Sequence, residues 1–262
     1  MNRTLITVNP EAFPSQLRPL LVSAPVYDSS CSPEARVHFI DKDGGYFLKS
    51  ASRGTLKTEA EMTAFFHSNQ LGAQVLSYFT EGENDWLLTR RVPGEDCTHA
   101  QYLDDPKRLS ETTAQLLRAL HELNPAGCPV PQRTKDYLHT VETNYHCGHY
   151  DQSLFPDNWG YASAQDAIAA AREAAPHFKQ DVLLHGDYCL PNVILDDWKF
   201  SGVIDVGNGG VGDRHIDLFW GIWTLQFNLK TDRYTDNFLD AYGRDKVDPA
   251  LLRAVAACEV FG

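Results

Sequence analysis

Three side chains that could handle a proton and a metal ion lie close together in the last third of the 262-residue chain. Asp187 and Asn192 belong to the segment HGDYCLPN at 185–192, and Asp205 follows in IDVG at 204–207. Moving a phosphoryl group from a nucleotide requires a carboxylate that orients the acceptor hydroxyl and oxygen ligands that hold Mg²⁺ against the phosphates. This order therefore indicates phosphoryl transfer, with Asp187 as the carboxylate and with Asn192 and Asp205 as metal ligands.

The residues around Asp187 predict that it lies in a loop. The apolar run at 182–184 is typical of a buried strand, and Gly186 and Pro191 then interrupt regular structure. His185 is expected to support this loop by hydrogen bonding rather than to act as the base.

Asn192 and Asp205 are expected at the two open ends of a hairpin. The β-prone runs 193–195 and 200–204 flank the turn-like residues 196–199. A hairpin brings its ends together, so both oxygen ligands could meet one hard cation. Each Asp or Asn taken alone has another interpretation, as a turn former or a strand cap. The three residues in this order, with apolar runs between them, favour the metal site.

Composition indicates an ordinary soluble globular protein, with 43% hydrophobic and 22% charged residues. The sequence has no apolar run that approaches a membrane span and no signal-peptide core at its start, which predicts a cytoplasmic protein. The six cysteines form no C-x-x-C pair and are expected to be reduced thiols. The segment 146–149, His-Cys-Gly-His, lacks the second half of a zinc site and is expected to be a solvated loop.

The net charge of −12 argues against a nucleic-acid partner, because phosphate binding requires a basic surface. The same charge would favour a cationic small molecule. Solubility alone is the alternative explanation.

The first part of the chain predicts a small β-rich lobe. Runs 35–40 and 46–49 flank a Gly-containing turn, so Lys49 would close the second strand. A helix is expected from 57 to 71, with Glu59 on its apolar face. A carboxylate there needs a partner, and Lys49 is the nearest candidate. The alternative leaves Glu59 in water at the helix start, favoured by the helix dipole.

Two more β-prone runs, 74–79 and 86–92, precede a break at 93–96, where the lobe boundary is expected. This divides the chain into residues 1–92 and 93–262, with the hinge around 90–96. The second part is predicted to be mostly helical, and nucleotides commonly bind where two such lobes meet. The predicted helices are one that follows the Asp105-Pro106 cap and four more at 164–175, 214–229, 233–242 and 249–260.

These motifs resemble those of the aminoglycoside 3′-phosphotransferases, which are small relatives of the protein kinases. The resemblance covers nearly the whole chain and includes HGDxxxxN at 185–192, IDxG at 204–207 and GDRHID at 212–217. It implies a two-lobed, protein-kinase-like α+β fold, with a small N-terminal β-sheet lobe that holds one main helix and a larger, mostly helical C-terminal lobe.

The resemblance also implies nucleotide contacts in the N-terminal lobe. Lys49 would hold the α- and β-phosphates, Glu59 would orient Lys49, and Phe47 would stack on the purine. The other implied contacts are Ser32 in the nucleotide loop and Arg91 and Val92 in the hinge, whose backbone would read the base edge.

On the acceptor side, the resemblance implies that Asp157, Glu259 and Phe261 bind the substrate, with Glu259 contacting its amines. Taken alone, Asp157 could be a turn residue and Glu259 an exposed acid at a helix end. This chain also departs from the family. It has Gly160, Phe227 and Asn228 where the family usually has acids, and Asn208 where a basic residue is common.

The predicted activity is transfer of the γ-phosphoryl group of ATP or GTP, with Mg²⁺, to a hydroxyl of an aminoglycoside, with the 3′-hydroxyl favoured. Such an enzyme would confer resistance to the antibiotic and act as a monomer or a weak dimer. Two alternatives remain open: a kinase for another small hydroxylated amine or antibiotic, and a nucleotide-binding kinase homologue without catalysis.

Overall fold

A six-stranded antiparallel sheet dominates the N-terminal part of the chain. The computed structural model describes residues 3–150 and 160–262. The strands of this sheet are β1 (Thr4–Ile6), β2 (Val26–Asp28), β3 (Ala35–Ile40), β4 (Tyr46–Ser52), β5 (Val75–Glu81) and β6 (Asn84–Arg90), and the accompanying helices are α1 (Arg18–Leu21) and α2 (Lys57–Ser68). The strand order in the sheet is β1-β2-β3-β4-β6-β5.

Alternation along β4 decides which side chains face α2. Leu48 is fully buried in a core that includes Leu17 and Leu88. Successive side chains of a strand point to opposite faces, so Lys49 faces the other way. Its cross-strand neighbour Leu87 belongs to a second cluster, together with Ala60 of α2. The sheet therefore presents Lys49 on the face that α2 covers.

The hairpin predicted near the metal ligands is present. Strands β9 (Val193–Asp196) and β10 (Lys199–Val203) pair antiparallel, and β7 (Glu95–Asp96) adds to the other edge of β9. Asp197 and Trp198 form the turn with φ values of 47° and 66°. Positive φ at both central residues is the geometry that matches the twist of paired strands.

The C-terminal part is mostly helical, as predicted. It also contains one short antiparallel pair, β8 (Val182–Leu184) with β11 (Gly210–Gly212). Asp105 caps the N-terminus of its longest described helix by accepting a hydrogen bond from the Arg108 backbone N–H. The helices are α3 (Ala100–Leu103), α4 (Pro106–His121), α5 (Arg133–Cys147), α6 (Ala164–Ala174), α7 (His215–Leu229), α8 (Thr235–Tyr242) and α9 (Pro249–Glu259).

Compactness divides the chain into two units. Unit 1 contains residues 1–99 and 191–207, and unit 2 contains residues 100–190 and 208–262. Both metal-ligand candidates thus belong to unit 1 and Asp187 to unit 2. The lobe boundary expected at 93–96 stays a prediction. None of the described helices is long and apolar enough to cross a membrane.

Two expectations about helices were wrong. Helix α5 has no counterpart among the predicted helices, and His146 and Cys147 lie in its last turn rather than in a solvated loop. The helix ends at Gly148, whose φ of 69° is the left-handed conformation that glycine favours at helix C-termini. Helix α2 ends at Ser68, before the expected end at 71, because the chain turns at Gln70 with φ of 62°.

Candidate active site

Lys49 in unit 1 is held by two carboxylates from distant parts of the chain. Its Nζ donates to Glu59 Oε2 at 2.7 Å and to Asp205 Oδ1 at 3.1 Å. The Glu59 side chain is only 13% exposed, so the predicted partnership with Lys49 is present and the alternative of a solvated Glu59 is wrong. Burial lowers the pKa of Lys49, but the two carboxylates outweigh it and the net pKa is raised. The ammonium therefore stays charged and fixed in position.

A buried carboxylate, Asp85 of β6, fixes the start of the helix that carries Glu59. It accepts hydrogen bonds from the backbone N–H groups of Gly54 at 2.9 Å and Leu56 at 3.1 Å. The hydroxyls of Tyr78 and Thr80 complete its partners. Leu56 is the N-cap position of α2 and has no side-chain cap of its own, so Asp85 takes over that role from a neighbouring strand.

Asp205 and Asn192 lie next to each other at the open end of the β9–β10 hairpin. The Ile204 N–H donates to the Asn192 carbonyl at 3.0 Å, directly before Asp205. Asp205 has a φ of 58°, a left-handed conformation that costs energy for a residue other than glycine and that clusters at functional sites. Its side chain is 53% exposed. One accessible carboxylate with a neighbouring amide oxygen suits Mg²⁺, which usually binds one or two protein carboxylates plus substrate phosphates.

Close packing explains the glycine after Asp205. A Cβ at Gly207 would approach the Glu59 Cβ to 3.3 Å, which is tighter than ordinary packing. The IDxG motif thus leaves room for the Glu59 side chain beside Asp205.

A pocket in unit 1 brings together three of the residues predicted to bind the nucleotide, namely Phe47, Arg91 and Val92. Apolar side chains with a few polar groups are typical of a ligand pocket. Ser32 is exposed in the bend between β2 and β3, where it hydrogen-bonds Glu34. The pocket is lined by Arg3, Phe47, Arg91, Val92, Gly94, Glu95, Asp96, Ile194 and Ile204.

In unit 2, Asp187 lies in the predicted loop after β8. The fully buried His185 accepts a hydrogen bond at Nδ1 from the Asp187 backbone N–H at 3.3 Å. This geometry confirms that His185 supports the loop. Gly186 has a φ of 87°, and a Cβ there would lie 1.8 Å from the Asn208 carbonyl oxygen. Only glycine permits this close approach of the two backbones.

Asp217 of α7 organises the Asp187 loop. Its carboxylate accepts from the backbone N–H groups of His185 and Gly186, each at 2.7 Å. His121 Nε2 contacts the same carboxylate at 3.1 Å, and Tyr242 Oη lies 2.8 Å from His121 Nδ1. The sequence places Asp217 in a motif without indicating its role, and neither His121 nor Tyr242 was predicted to take part.

Glu259 lies at the end of α9 and near Asp187. Tyr137 donates its hydroxyl proton to Glu259 Oε1 at 2.7 Å. The pKa of Glu259 is raised to about 7. Burial is the main cause and the Asp187 charge also raises this pKa, while hydrogen bonds from Tyr137 and Trp220 and the Arg133 charge lower it. The carboxylate is therefore partly buried and hydrogen-bonded to Tyr137 rather than being a freely solvated acid at a helix end.

Phe261, predicted to bind substrate, has its side chain in the hydrophobic core. It is 1% exposed, and its ring packs against those of Tyr145 and Tyr150. Asn144 donates to its carbonyl at 2.7 Å. The ring thus anchors the segment that carries Glu259, and the role of Phe261 in substrate binding stays a prediction. Asp157 lies outside the described residues.

An aromatic stripe runs along α7 beside the Asp187 loop, and consists of Trp220, Trp223 and Phe227. The neighbouring face of the helix contacts that loop, because the Leu190 N–H donates to the Thr224 hydroxyl. Rings 223 and 227 stack at 5.0 Å with an interplanar angle of 11°. Phe227 is 55% exposed and carries the Lys230 ammonium 4.1 Å above its ring centroid.

Comparison with known proteins identifies the family of the chain. The sequence profile of the phosphotransferase enzyme family matches residues 29–255. A probable aminoglycoside 3′-phosphotransferase from Lactococcus lactis subsp. lactis (strain IL1403) is 48% identical over 257 residues, which cover 98% of each chain.

Two solved structures share the fold. An aminoglycoside-3′-phosphotransferase of type VIII superposes with a TM-score of 0.76 at 24% identity, covering 89% of this chain and 92% of the other. The aminoglycoside phosphotransferase APH(3″)-Id from Streptomyces rimosus ATCC10970, in complex with ADP and streptomycin, gives 0.70 at 23% identity, over 86% and 90% of the two chains. The predicted protein-kinase-like α+β fold is thus confirmed. With the profile match and the 48% identical relative, the chain belongs to the phosphotransferase enzyme family, in its aminoglycoside 3′-phosphotransferase branch.

Proposed function

We propose that the protein transfers the γ-phosphoryl group of ATP or GTP to the 3′-hydroxyl of an aminoglycoside and so confers resistance. The observation that carries the proposal is the ammonium of Lys49, held between Glu59 and Asp205. A nucleoside triphosphate with its metal ion requires a fixed cation for the phosphates and an accessible carboxylate for the metal. The 48% identical relative named as a probable aminoglycoside 3′-phosphotransferase supports the choice of acceptor.

At the donor end, Lys49 would bind the α- and β-phosphates and Glu59 would keep it in place. Phe47, Arg91 and Val92 line the pocket proposed for the base. Asn192 and Asp205 would hold Mg²⁺, which neutralises charge on the phosphates when bound. Ser32 stays a prediction for the nucleotide loop.

At the acceptor end, Asp187 would accept the proton of the attacking hydroxyl. The acceptor oxygen forms a bond to the γ-phosphorus, the bridging P–O bond breaks, and the nucleoside diphosphate leaves with the electron pair. The hydrogen bonds that Asp217 receives from His185 and Gly186 keep the Asp187 loop in one conformation before the acceptor arrives.

Recognition of the acceptor amines would use Glu259 and, in the absence of family acids at Phe227 and Asn228, the aromatic stripe. A carboxylate gives charge-assisted hydrogen bonds to ammonium groups, and an aromatic face attracts a cation. Lys230 above Phe227 is an example of the second interaction within the protein. Asp157 stays a prediction for the same task.

We expect a cytoplasmic enzyme, because its nucleotide donor is found there. Small molecules would be its partners, since a net charge of −12 disfavours nucleic acid and anionic membrane surfaces. A monomer or weak dimer is expected, and sedimentation velocity over a range of concentrations would decide the oligomeric state.

The test is nucleoside diphosphate release with Mg²⁺ and either ATP or GTP, against aminoglycosides with and without a 3′-hydroxyl. The D187N variant is the blank. We expect turnover only with acceptors that carry the 3′-hydroxyl. Turnover with the 3′-deoxy compounds would contradict the regiospecificity, and turnover with another hydroxylated amine but no aminoglycoside would make this chain a different small-molecule kinase.

A further inference from the structure

Arg133 is a cation in an unfavourable place. It is the first residue of α5, where the positive end of the helix dipole disfavours a positive charge. It is also partly buried, and burial lowers the pKa of its guanidinium. Among the described residues its guanidinium forms one hydrogen bond, from Nη2 to the Asn208 carboxamide oxygen at 3.1 Å, and no ion pair.

Backbone packing places Asn208, which this guanidinium contacts, beside the Asp187 loop. Gly210 pairs with Leu184 at the end of β8, and a Cβ at Gly210 would lie 2.8 Å from the Arg133 Cβ. The side chain then reaches Asn208, whose carbonyl packs directly on Gly186. Gly186 immediately precedes Asp187.

Two of the carboxylates that act on Arg133 through space already have other partners. Asp217 accepts two backbone N–H groups and contacts His121, and Glu259 accepts from Tyr137. Asp136 influences Arg133 only through space, without an ion pair. A partly buried charge that forms no ion pair with any described residue is costly, so this position favours an anion from outside the chain.

The chemistry next to Asp187 indicates which anion this is. A transferring phosphoryl group carries negative charge on three non-bridging oxygens, and a guanidinium matches such oxygens with two parallel donors. We propose that Arg133 is a catalytic residue whose guanidinium binds these oxygens during transfer. The proposal rests on the phosphotransferase activity: the acceptor oxygen bonds to phosphorus, the bridging P–O bond breaks toward the diphosphate, the hydroxyl proton passes to Asp187, and Arg133 keeps its protons.

The test compares R133Q and R133K with R172Q, which makes the same change at an exposed arginine of unit 2. We expect R133Q to lower kcat by about 100-fold, as for the loss of one donor to transition-state charge, with little change in the nucleotide KM or in Tm. R133K should recover part of kcat, because lysine keeps the charge and loses the fork. R172Q should match the unsubstituted enzyme.

A binding measurement separates this role from a structural one. ADP with aluminium fluoride, Mg²⁺ and acceptor mimics the transferring group, whereas ADP alone lacks it. R133Q should weaken binding of the mimic and leave ADP binding unchanged. The double variant R133Q/N208R, which returns a guanidinium from the residue that Arg133 contacts, should regain part of both kcat and mimic binding.

Several results would overturn the role of Arg133 while leaving the proposed function intact: an R133Q enzyme within about threefold of the normal kcat, or equal loss of affinity for ADP and the mimic. If R133Q does not fold, R133K is the deciding variant. A stable R133K enzyme with full kcat would exclude a role of the guanidinium in phosphoryl transfer. An unsubstituted chain that folds but shows no turnover would instead contradict the proposed function itself.

Discussion

The two units stabilise their functional carboxylates by different means. In unit 1, Glu59 and Asp205 share one ammonium, that of Lys49. In unit 2, Asp217 is fully buried and is held by two backbone N–H groups and the His121 ring. The first arrangement is a cluster of charged side chains that share one ammonium, and the second is one buried carboxylate bonded to two backbone N–H groups and a histidine ring.

The difference fits the roles that we propose for the two regions. A cation that binds phosphates must stay charged and accessible, and Lys49 keeps 21% of its side chain exposed. A loop that positions Asp187 needs a fixed backbone, and a buried carboxylate that accepts two adjacent N–H groups provides it. An accessible charged group therefore suits the donor site, because it can bind the phosphates. A buried carboxylate that accepts backbone N–H groups suits the loop. Each substitution below tests one side of this contrast.

The largest effect is expected for Asp187→Asn. The amide cannot accept the hydroxyl proton, so kcat should fall by roughly 10²- to 10⁴-fold. Nucleotide binding should remain, since Lys49 and the base pocket belong to unit 1, and calorimetric titration with ADP and Mg²⁺ checks this. Asp181→Asn, at an exposed aspartate of unit 2, is the matched control. Substantial turnover by the Asp187→Asn enzyme would refute the assignment of the base.

Lys49→Met should lower kcat/KM for the nucleotide by about 10²- to 10³-fold, because one fixed donor to developing charge is lost. It also leaves Glu59 and Asp205 facing each other without a cation, so Tm should fall. Steady-state kinetics at varied ATP and GTP measure the first effect. Lys57→Met removes only an exposed i,i+4 contact with Glu61 and serves as control. Unchanged nucleotide kinetics in Lys49→Met would contradict the proposal that the shared ammonium in unit 1 binds the phosphates.

Asp217→Asn tests the unit 2 side. A carboxamide has one oxygen where the carboxylate has two, so one N–H of His185 or Gly186 loses its acceptor, at a cost of about 1–3 kcal/mol. We expect a lower Tm, by roughly 2–4 °C per kcal/mol, and a lower kcat with the nucleotide KM preserved. Asp232→Asn, an exposed aspartate of the same unit, provides the comparison. A rise in nucleotide KM without loss of kcat would be the opposite of this expectation.

The smallest effect is expected for the pH dependence of the acceptor KM, through ionisation of Glu259. Its pKa of about 7 lies above the ordinary value of 4.5, chiefly through burial. The acceptor KM should therefore fall as pH rises through about 7, by at most about tenfold from the change in ionised fraction. Glu259→Gln should remove this dependence and leave the nucleotide KM unchanged. A pH profile identical in the two enzymes would show that Glu259 does not bind the acceptor amines.

The same pKa has a consequence for stability. Because the folded pKa lies above the unfolded one, the folded state binds this proton more tightly. The contribution of Glu259 to stability is therefore greatest below the unfolded pKa and is lost as pH rises toward about 7. Glu259→Gln should flatten that part of the Tm profile.

Local patterns predicted most of the elements around the site. Alternating strands flanking glycine-containing turns predicted β3 with β4, and the turn at 196–199 predicted β9 with β10. The missed helix α5 buries Thr134, Tyr137 and Val141 at i, i+3 and i+7, a helical spacing that polar neighbours obscure. The missed strands β1 and β2 are three residues each, too short for a periodic signal.

By itself, the sequence determined which residue types make up the candidate site, namely the loop aspartate, the Asn and Asp of the hairpin, and the lysine with its carboxylate partner, because short motifs set by turn and strand propensities bring these types together. Only the tertiary structure decided which groups support them. Lys49 and Asp205 are separated by 156 positions, and His121 and Asp217 by 96. Such pairs form because packing buries charges and backbone N–H groups, which then need partners. Local propensity does not predict which distant residue will be the partner.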